Sequence, residues 1–270
     1  MLVRLGYDMG FTVAAPTAMV AMLHVHPSQA PNLIEADDLI VEPAVPTREF
    51  TDNFGNRCSR FLAPAGSLRL SGTTLIKVSG QPDATDPSAR EHPVEELPSE
   101  VLQFLLSSRY CEVDSLSNAA SDLFGGLAPG WSRVAAICDW VHARVVFGYQ
   151  YARSTRTAMD VFIERAGVCR DFQHLAVTFC RAMNIPARYV TGYLGDMGMP
   201  PPYAPGDFSA WFEVFLSNRW WTFDARHRQP RIGRVLMAVG RDAADVAITT
   251  SFGRADLQHF KVITDEVPAA

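Results

Sequence analysis

Residues 80–98 divide this chain into two kinds of sequence. The stretch carries four prolines (Pro82, Pro87, Pro93, Pro98) among charged residues. A proline fixes its own φ, lacks an amide donor and pushes the residue before it out of the helical region. Neither a long helix nor a central strand can run through such a segment, so it predicts an exposed linker over 81–98. The 270 residues leave room for a domain on each side, 1–80 and 99–270.

Before the linker the pattern is that of strands. Apolar, β-branched runs at 17–24, 34–41, 57–63 and 67–78 are separated by turn signals such as His26-Pro27-Ser28 and Asn53-Phe54-Gly55-Asn56. This spacing predicts a small β-sandwich-like domain. After the linker the period changes. Residues 99–107 and 131–146 place apolar side chains at helical spacing, with Val134, Ile137, Val141 and Val145 on one face. A shorter helix is expected over 158–165, ending at Ala166-Gly167, and another over 169–183, stopped by Asn184-Ile185-Pro186. Strands follow at 188–194, 208–216 and 219–224, the last two joined by a turn at Ser217-Asn218. The second half is therefore read as an α+β domain of helices packed on an antiparallel sheet.

Bulk properties exclude several functions. Hydrophobic residues make up 48% and charged residues 20%, enough to bury a core. The net charge is −5 and no Lys/Arg run offers a footing for nucleic acid or an anionic membrane, so neither is an expected partner. No apolar run reaches the roughly 18 residues that span a bilayer. Residues 1–25 lack the layout of a signal peptide, since Asp8 and Gly10 interrupt them. Five cysteines (Cys58, Cys111, Cys138, Cys169, Cys180) are scattered without CxxC spacing. That predicts no disulfide framework, no metal site, no cofactor and a reducing, cytoplasmic setting.

One cysteine stands apart. Cys169 follows Gly167-Val168 where a helix begins, and a helix N-terminus lowers a thiol's pKa through its unpaired N–H groups. The same N–H groups are placed to stabilise an oxyanion. Cys138 and Cys180 lie mid-helix on apolar faces and read as structural thiols.

The runs Gly167-Val168-Cys169-Arg170-Asp171-Phe172-Gln173-His174-Leu175 and Asn184-Ile185-Pro186-Ala187-Arg188-Tyr189-Val190-Thr191-Gly192-Tyr193 resemble the core of bacterial transglutaminase-like, papain-type thiol proteins. So do Ala210-Trp211-Phe212-Glu213-Val214 and Trp220-Trp221-Thr222-Phe223-Asp224. The resemblance covers about 130–250, and the preceding β-module is similar to one that often accompanies this domain. It implies a Cys-His-Asp triad acting on a peptide-like amide, with Cys169 as nucleophile and Asp224 as the orienting acid. The family's histidine stands just before the Ala-Trp pair, and in this chain that position is Ser209. Serine cannot take up and return a proton at neutral pH as imidazole does.

Two histidines could compensate. His227 lies three residues after Asp224 and could fold back toward Cys169, or be an exposed loop residue. His174 is about 140° round the helix from Cys169 and is read as a core residue. Asp207 shares a strand face with Ser209 and could add negative charge to the site. Trp211 could line an acyl pocket, and Arg170 could contact substrate or pair with Asp171. Arg241 and Asp242 are read as closing the sheet through Arg–Asp pairs, or as selecting substrate if their loop covers the cleft. The resemblance implies an enzyme acting on a peptide or protein substrate, hydrolysis ahead of crosslinking. The competing reading is a catalytically silent binding or scaffold domain, because Ser209 replaces the base. The sequence leaves the oligomeric state open.

Overall fold

The computed structural model describes residues 1–203 and 206–268. Fourteen strands and four α-helices follow one another among these residues. The first six strands are β1 (Leu2–Val13), β2 (Thr17–Ala21), β3 (Ile40–Glu42), β4 (Thr47–Thr51), β5 (Arg57–Ala63) and β6 (Gly66–Lys77). The expected runs begin at residue 17 and leave out strand β1, whose apolar character Asp8 and Gly10 interrupt. Its alternation is nonetheless regular, with Val3, Leu5, Tyr7, Met9, Phe11 and Val13 all buried.

The helical region begins with a 3₁₀ segment, Ser99–Leu105, where an α-helix was expected. Then come α1 (Val113–Phe124), which the sequence reading did not identify, and α2 (Trp131–Arg144). Two short strands, β7 (Val146–Phe147) and β8 (Ala166–Gly167), pair in parallel around α3 (Ala158–Glu164). Helix α3 opens on a reciprocal cap between Thr157 and Asp160. Next is α4 (Cys169–Ala182), followed by β9 (Ala187–Tyr193), β10 (Phe208–Leu216), β11 (Arg219–Phe223), β12 (Val235–Gly240), β13 (Thr249–Ser251) and β14 (Ala255–Val267).

Strands β9 to β12 form one antiparallel sheet in the order β11-β10-β9-β12, the α+β architecture expected. Helix α4 lies between this sheet and the other helices, touching β9 and β10 on one side and α1, α2 and α3 on the other. That position explains why its buried face exceeds the apolar stripe. Asp171, Gln173, His174, Thr178 and Arg181 are buried alongside Phe172, Leu175 and Phe179.

Two further four-stranded antiparallel sheets, β14-β1-β6-β3 and β13-β2-β5-β4, share one apolar core through Leu5, Leu68, Leu70 and Ile76 from the first and Met19 and Phe61 from the second. Here the chain departs from the expected division. Residues 249–267 were assigned to the α+β half, yet β14 pairs along the whole of β1 and β13 pairs with β2. A strand edge left open on β1 would expose a row of unpaired amides and carbonyls, and the returning C-terminal strand closes it. Tyr193, Phe208, Val235 and Met237 extend the same core into the α+β half.

The proline-rich segment is mostly exposed, as expected, but is anchored to the fold at several points. Ala89 and Leu97 are buried, Glu91 accepts from the Gly130 amide and pairs with Arg133, and the Asp83 amide donates to Arg231 O while its carboxylate accepts the Arg231 amide. Among the described residues no helix is long and apolar enough to cross a membrane.

Candidate active site

Cys169 is the first residue of α4, after Val168 in an extended conformation. The Asp171 carboxylate accepts the Val168 amide at 2.9 Å and so caps the helix. A Cβ on Gly167 would meet Asp171 Cβ at 2.6 Å, so the sharp approach of strand to helix requires glycine there. Cys169 keeps partial exposure, while its side chain packs against the cluster of Tyr189, Ala210, Ala238 and Val246.

The expected depression of the thiol pKa does not occur. Burial pushes the Cys169 thiol up to about 11; the Arg226 guanidinium works against this, the Asp207 carboxylate adds to it, and the Ala210 and Arg170 amides donating toward the sulfur offset it in part. The Cys169 side chain is therefore a neutral thiol at rest.

Cys169 lines an open cleft of about 580 Å³, and so do Tyr149, Asp207, Ser209, Arg226 and His227. Its opposite wall comes from residues 194–198 and from β14, Lys261 to Glu266. The C-terminal strand that completes the β-module thus also builds the cleft.

Asp224 lies just past the end of β11 and is buried. The β10–β11 register sets Phe212 opposite Phe223, which carries Asp224 to a place opposite Trp211, a diagonal step from Ser209. Its Oδ1 accepts from Gln173 Nε2 at 2.9 Å and from the Arg226 and His227 amides at 2.9 and 3.1 Å. Its Oδ2 meets His227 Nδ1 at 2.8 Å and Arg234 Nη2 at 3.0 Å. Burial alone would raise this carboxyl, but the His227 bonds and the Arg234 guanidinium hold it well below the usual carboxylate range. His227 is therefore folded back onto Asp224 and into the cleft; with Nδ1 engaged, Nε2 is the nitrogen left for a partner there.

Gln173 was not identified from the sequence. It sits one turn after Cys169 on α4 and is fully buried. It donates to Ala210 O and Asp224 and accepts the Ala225 amide at 3.1 Å, tying the helix of Cys169 to the strand end that carries Asp224. The i to i+4 spacing from Cys169 was the available signal.

Ser209 lies on β10 opposite Gly192, nearly buried, and its Oγ has no hydrogen-bond partner among the described residues. Asp207 accepts from the Tyr149 hydroxyl at 3.1 Å, and burial raises its carboxyl above the ordinary value despite that bond.

The other expected contacts lie elsewhere. Trp211 is buried against Val190 and Val239 and is absent from the cleft lining, because its ring fills the space over Gly192, where a Cβ would meet it at 2.5 Å. Arg170 turns away to Asp171 and the Arg153 carbonyl and is likewise absent from the lining. His174 is fully buried, accepts the Ala243 amide at 3.1 Å and stacks on Tyr110. Burial and the nearby Arg170 and Arg181 push it well below the usual imidazole range, so it is neutral. Arg241 pairs with Asp245, and Asp242 accepts the Tyr110 amide. Among the described residues no group of three or more His, Cys, Asp or Glu side chains converges as a metal-ligand set.

A family model described as the transglutaminase-like superfamily matches residues 117–225, a span holding Cys169, Ser209 and Asp224 but ending before His227. The crystal structure of a candidate cysteine protease from Cytophaga hutchinsonii is 33% identical, with a TM-score of 0.86. That likeness covers 100% of this chain and 92% of the other. An uncharacterised protein of Mycobacterium leprae is 24% identical over 215 residues, 76% of this chain and 75% of its own. Another, of Mycobacterium tuberculosis, is 27% identical over 237 residues, 78% of this chain and 74% of its own.

Proposed function

We infer that this chain, which belongs to the transglutaminase-like superfamily, is a thiol-dependent hydrolase or acyltransferase acting on a peptide-like amide or isopeptide bond. The observation that carries this reading is the placement of His227, bound to Asp224 through Nδ1, in the same cleft as Cys169. Asp224 stays ionised and fixes the ring's tautomer and orientation, the role of the third member of a nucleophilic triad.

Because the thiol is neutral at rest, its proton passes to His227 Nε2 as sulfur attacks the carbonyl carbon. The carbonyl π pair moves to oxygen, and the N–H groups near the sulfur, those of Ala210 and Arg170, are the donors available to that oxyanion. Collapse of the adduct breaks the C–N bond as His227 returns the proton to the leaving amine. Water, or an amine in acyl transfer, then attacks the thioester and frees Cys169. Hydrolysis is the leading reading, on a peptide or protein substrate and without a cofactor. Five free cysteines, four of them buried, support a reducing, cytoplasmic setting.

A second reading, a silent binding or scaffold domain, is favoured by two observations: the expected base position holds Ser209, and the thiol is raised. Iodoacetamide labelling and turnover of model amides separate the two. The enzyme reading expects Cys169→Ala to abolish turnover at an unchanged melting temperature, and His227→Ala to slow Cys169 alkylation near neutral pH. An active Cys169→Ala variant, or alkylation indifferent to His227, sinks it.

A further inference from the structure

The proposed triad leaves the far side of Asp224 without a role, and an array of alternating charge stands there. Arg234, just before β12, is 6% exposed at its side chain. Its Nη2 donates to Asp224 Oδ2 at 3.0 Å and its Nε to Asp83 Oδ2 at 2.9 Å, while its guanidinium carbon lies 4.9 Å from the ring centre of Trp211. Asp83 is fixed in turn, for its Oδ2 accepts the Arg231 amide at 2.9 Å and its own amide donates to Arg231 O at 2.9 Å. An isolated bridge pairs Pro82 with Ile232 beside them. The order is Asp83, Arg234, Asp224, His227, running from the proline-rich segment into the cleft.

Burying such an array is a poor source of stability, because desolvation offsets the attraction between its members. What a planar, two-armed guanidinium does supply is orientation. We infer that Arg234, backed by Asp83, is a positioning residue that fixes the Asp224 carboxylate against His227, so that the proline-rich segment is part of the reactive site. The inference rests on His227 being the base of the proposed reaction.

Charge gives the array a signature that packing alone lacks. The Arg234 cation offsets the pull of Asp224 on an imidazolium proton, and the Asp83 anion offsets Arg234. Other groups around His227 are held constant in the comparison: Arg226 and Arg228 on its own loop, Arg231, Cys169 on α4, Asp207 before β10, and Asp139 and His142 on α2.

The test follows the pH at which the His227 ring signal titrates by NMR in the full chain, with circular dichroism confirming the fold. Arg234→Gln moves that midpoint up by about one pH unit, the scale of one nearby charge. Asp83→Asn, which keeps a side-chain acceptor for Arg234, moves it down by about half as much. Arg234→Lys keeps the charge and returns it to the wild-type position while lowering turnover. If Arg234→Gln fails to fold, the Asp83→Asn and Arg234→Lys midpoints decide. An Asp83→Asn midpoint that stays put or rises overturns the inference. Failure of the base itself reads out separately, as wild-type Cys169 alkylation in His227→Ala.

Discussion

Two carboxylates, one lining the cleft and one behind His227, are held in opposite ways. At the entry of β10, Asp207 is desolvated and has a single side-chain donor, Tyr149, so its carboxyl is pushed up. Past the end of β11, Asp224 is more deeply buried, yet five donors converge on it and it is held ionised. Burial by itself does not set the charge of a buried acid; the count and sign of its partners do. The same contrast marks the two candidate base positions, since the Ser209 hydroxyl has no partner among the described residues while His227 is docked on the stronger acid.

The largest expected effect comes from the ionised carboxylate behind His227. Asp224→Asn keeps the shape but removes the charge that selects the His227 tautomer, and kcat should fall by about 10³–10⁴-fold. A fall under tenfold in steady-state turnover would show that Asp224 is a structural cap. Next, His227→Ala should cost about 10²–10⁴-fold. Ser209→Ala should stay within about twofold of wild type in rate and lose no melting temperature, because a buried hydroxyl without a partner contributes no bond. Equal losses in the two variants would move the base back to the β10 wall.

A smaller effect concerns the raised carboxyl that lines the cleft. The Asp207 carboxylate makes the Cys169 thiol harder to ionise. Asp207→Asn should therefore shift the alkylation profile to lower pH, raising the rate by about three- to tenfold at a pH below the thiol's titration. No shift, or a shift upward, would remove Asp207 from the thiol's field.

The smallest expected effect is on stability against pH. Asp224, held below its unfolded value, contributes stability that is present above the ordinary carboxylate range and lost as pH falls through it. Asp207, raised in the fold, binds its proton more readily folded than unfolded, so its contribution improves as pH falls. Urea midpoints followed from about pH 7 down to pH 3 should thus respond with opposite slopes to Asp224→Asn and Asp207→Asn.

Local pattern made much of this molecule legible. Helix α4 begins at Cys169 and stops before Ile185-Pro186 because Gly167 permits the turn into it and proline forbids its continuation. Strands β10 and β11 follow from alternation and from the Ser217-Asn218 turn, both residues of which take positive φ. Those signals act over a few residues and so reside in the sequence. They singled out Cys169, while the family resemblance pointed to Asp224 and to Ser209 in place of the expected histidine.

Tertiary structure decided what depends on residues far apart in the chain. The pairing of β14 with β1 joins the two ends, and nothing local in residues 255–267 names that partner. The thiol's raised pKa is set by desolvation among Tyr189, Ala210, Ala238 and Val246, which outweighs the helix start that the sequence displays. Trp211 and Arg170 looked like cleft residues on their strand and helix, and close packing over Gly192 and pairing with Asp171 took them out of it. Period and turn chemistry determined the elements and their order; burial, and which distant charges meet within it, decided which of the candidate side chains share one cleft.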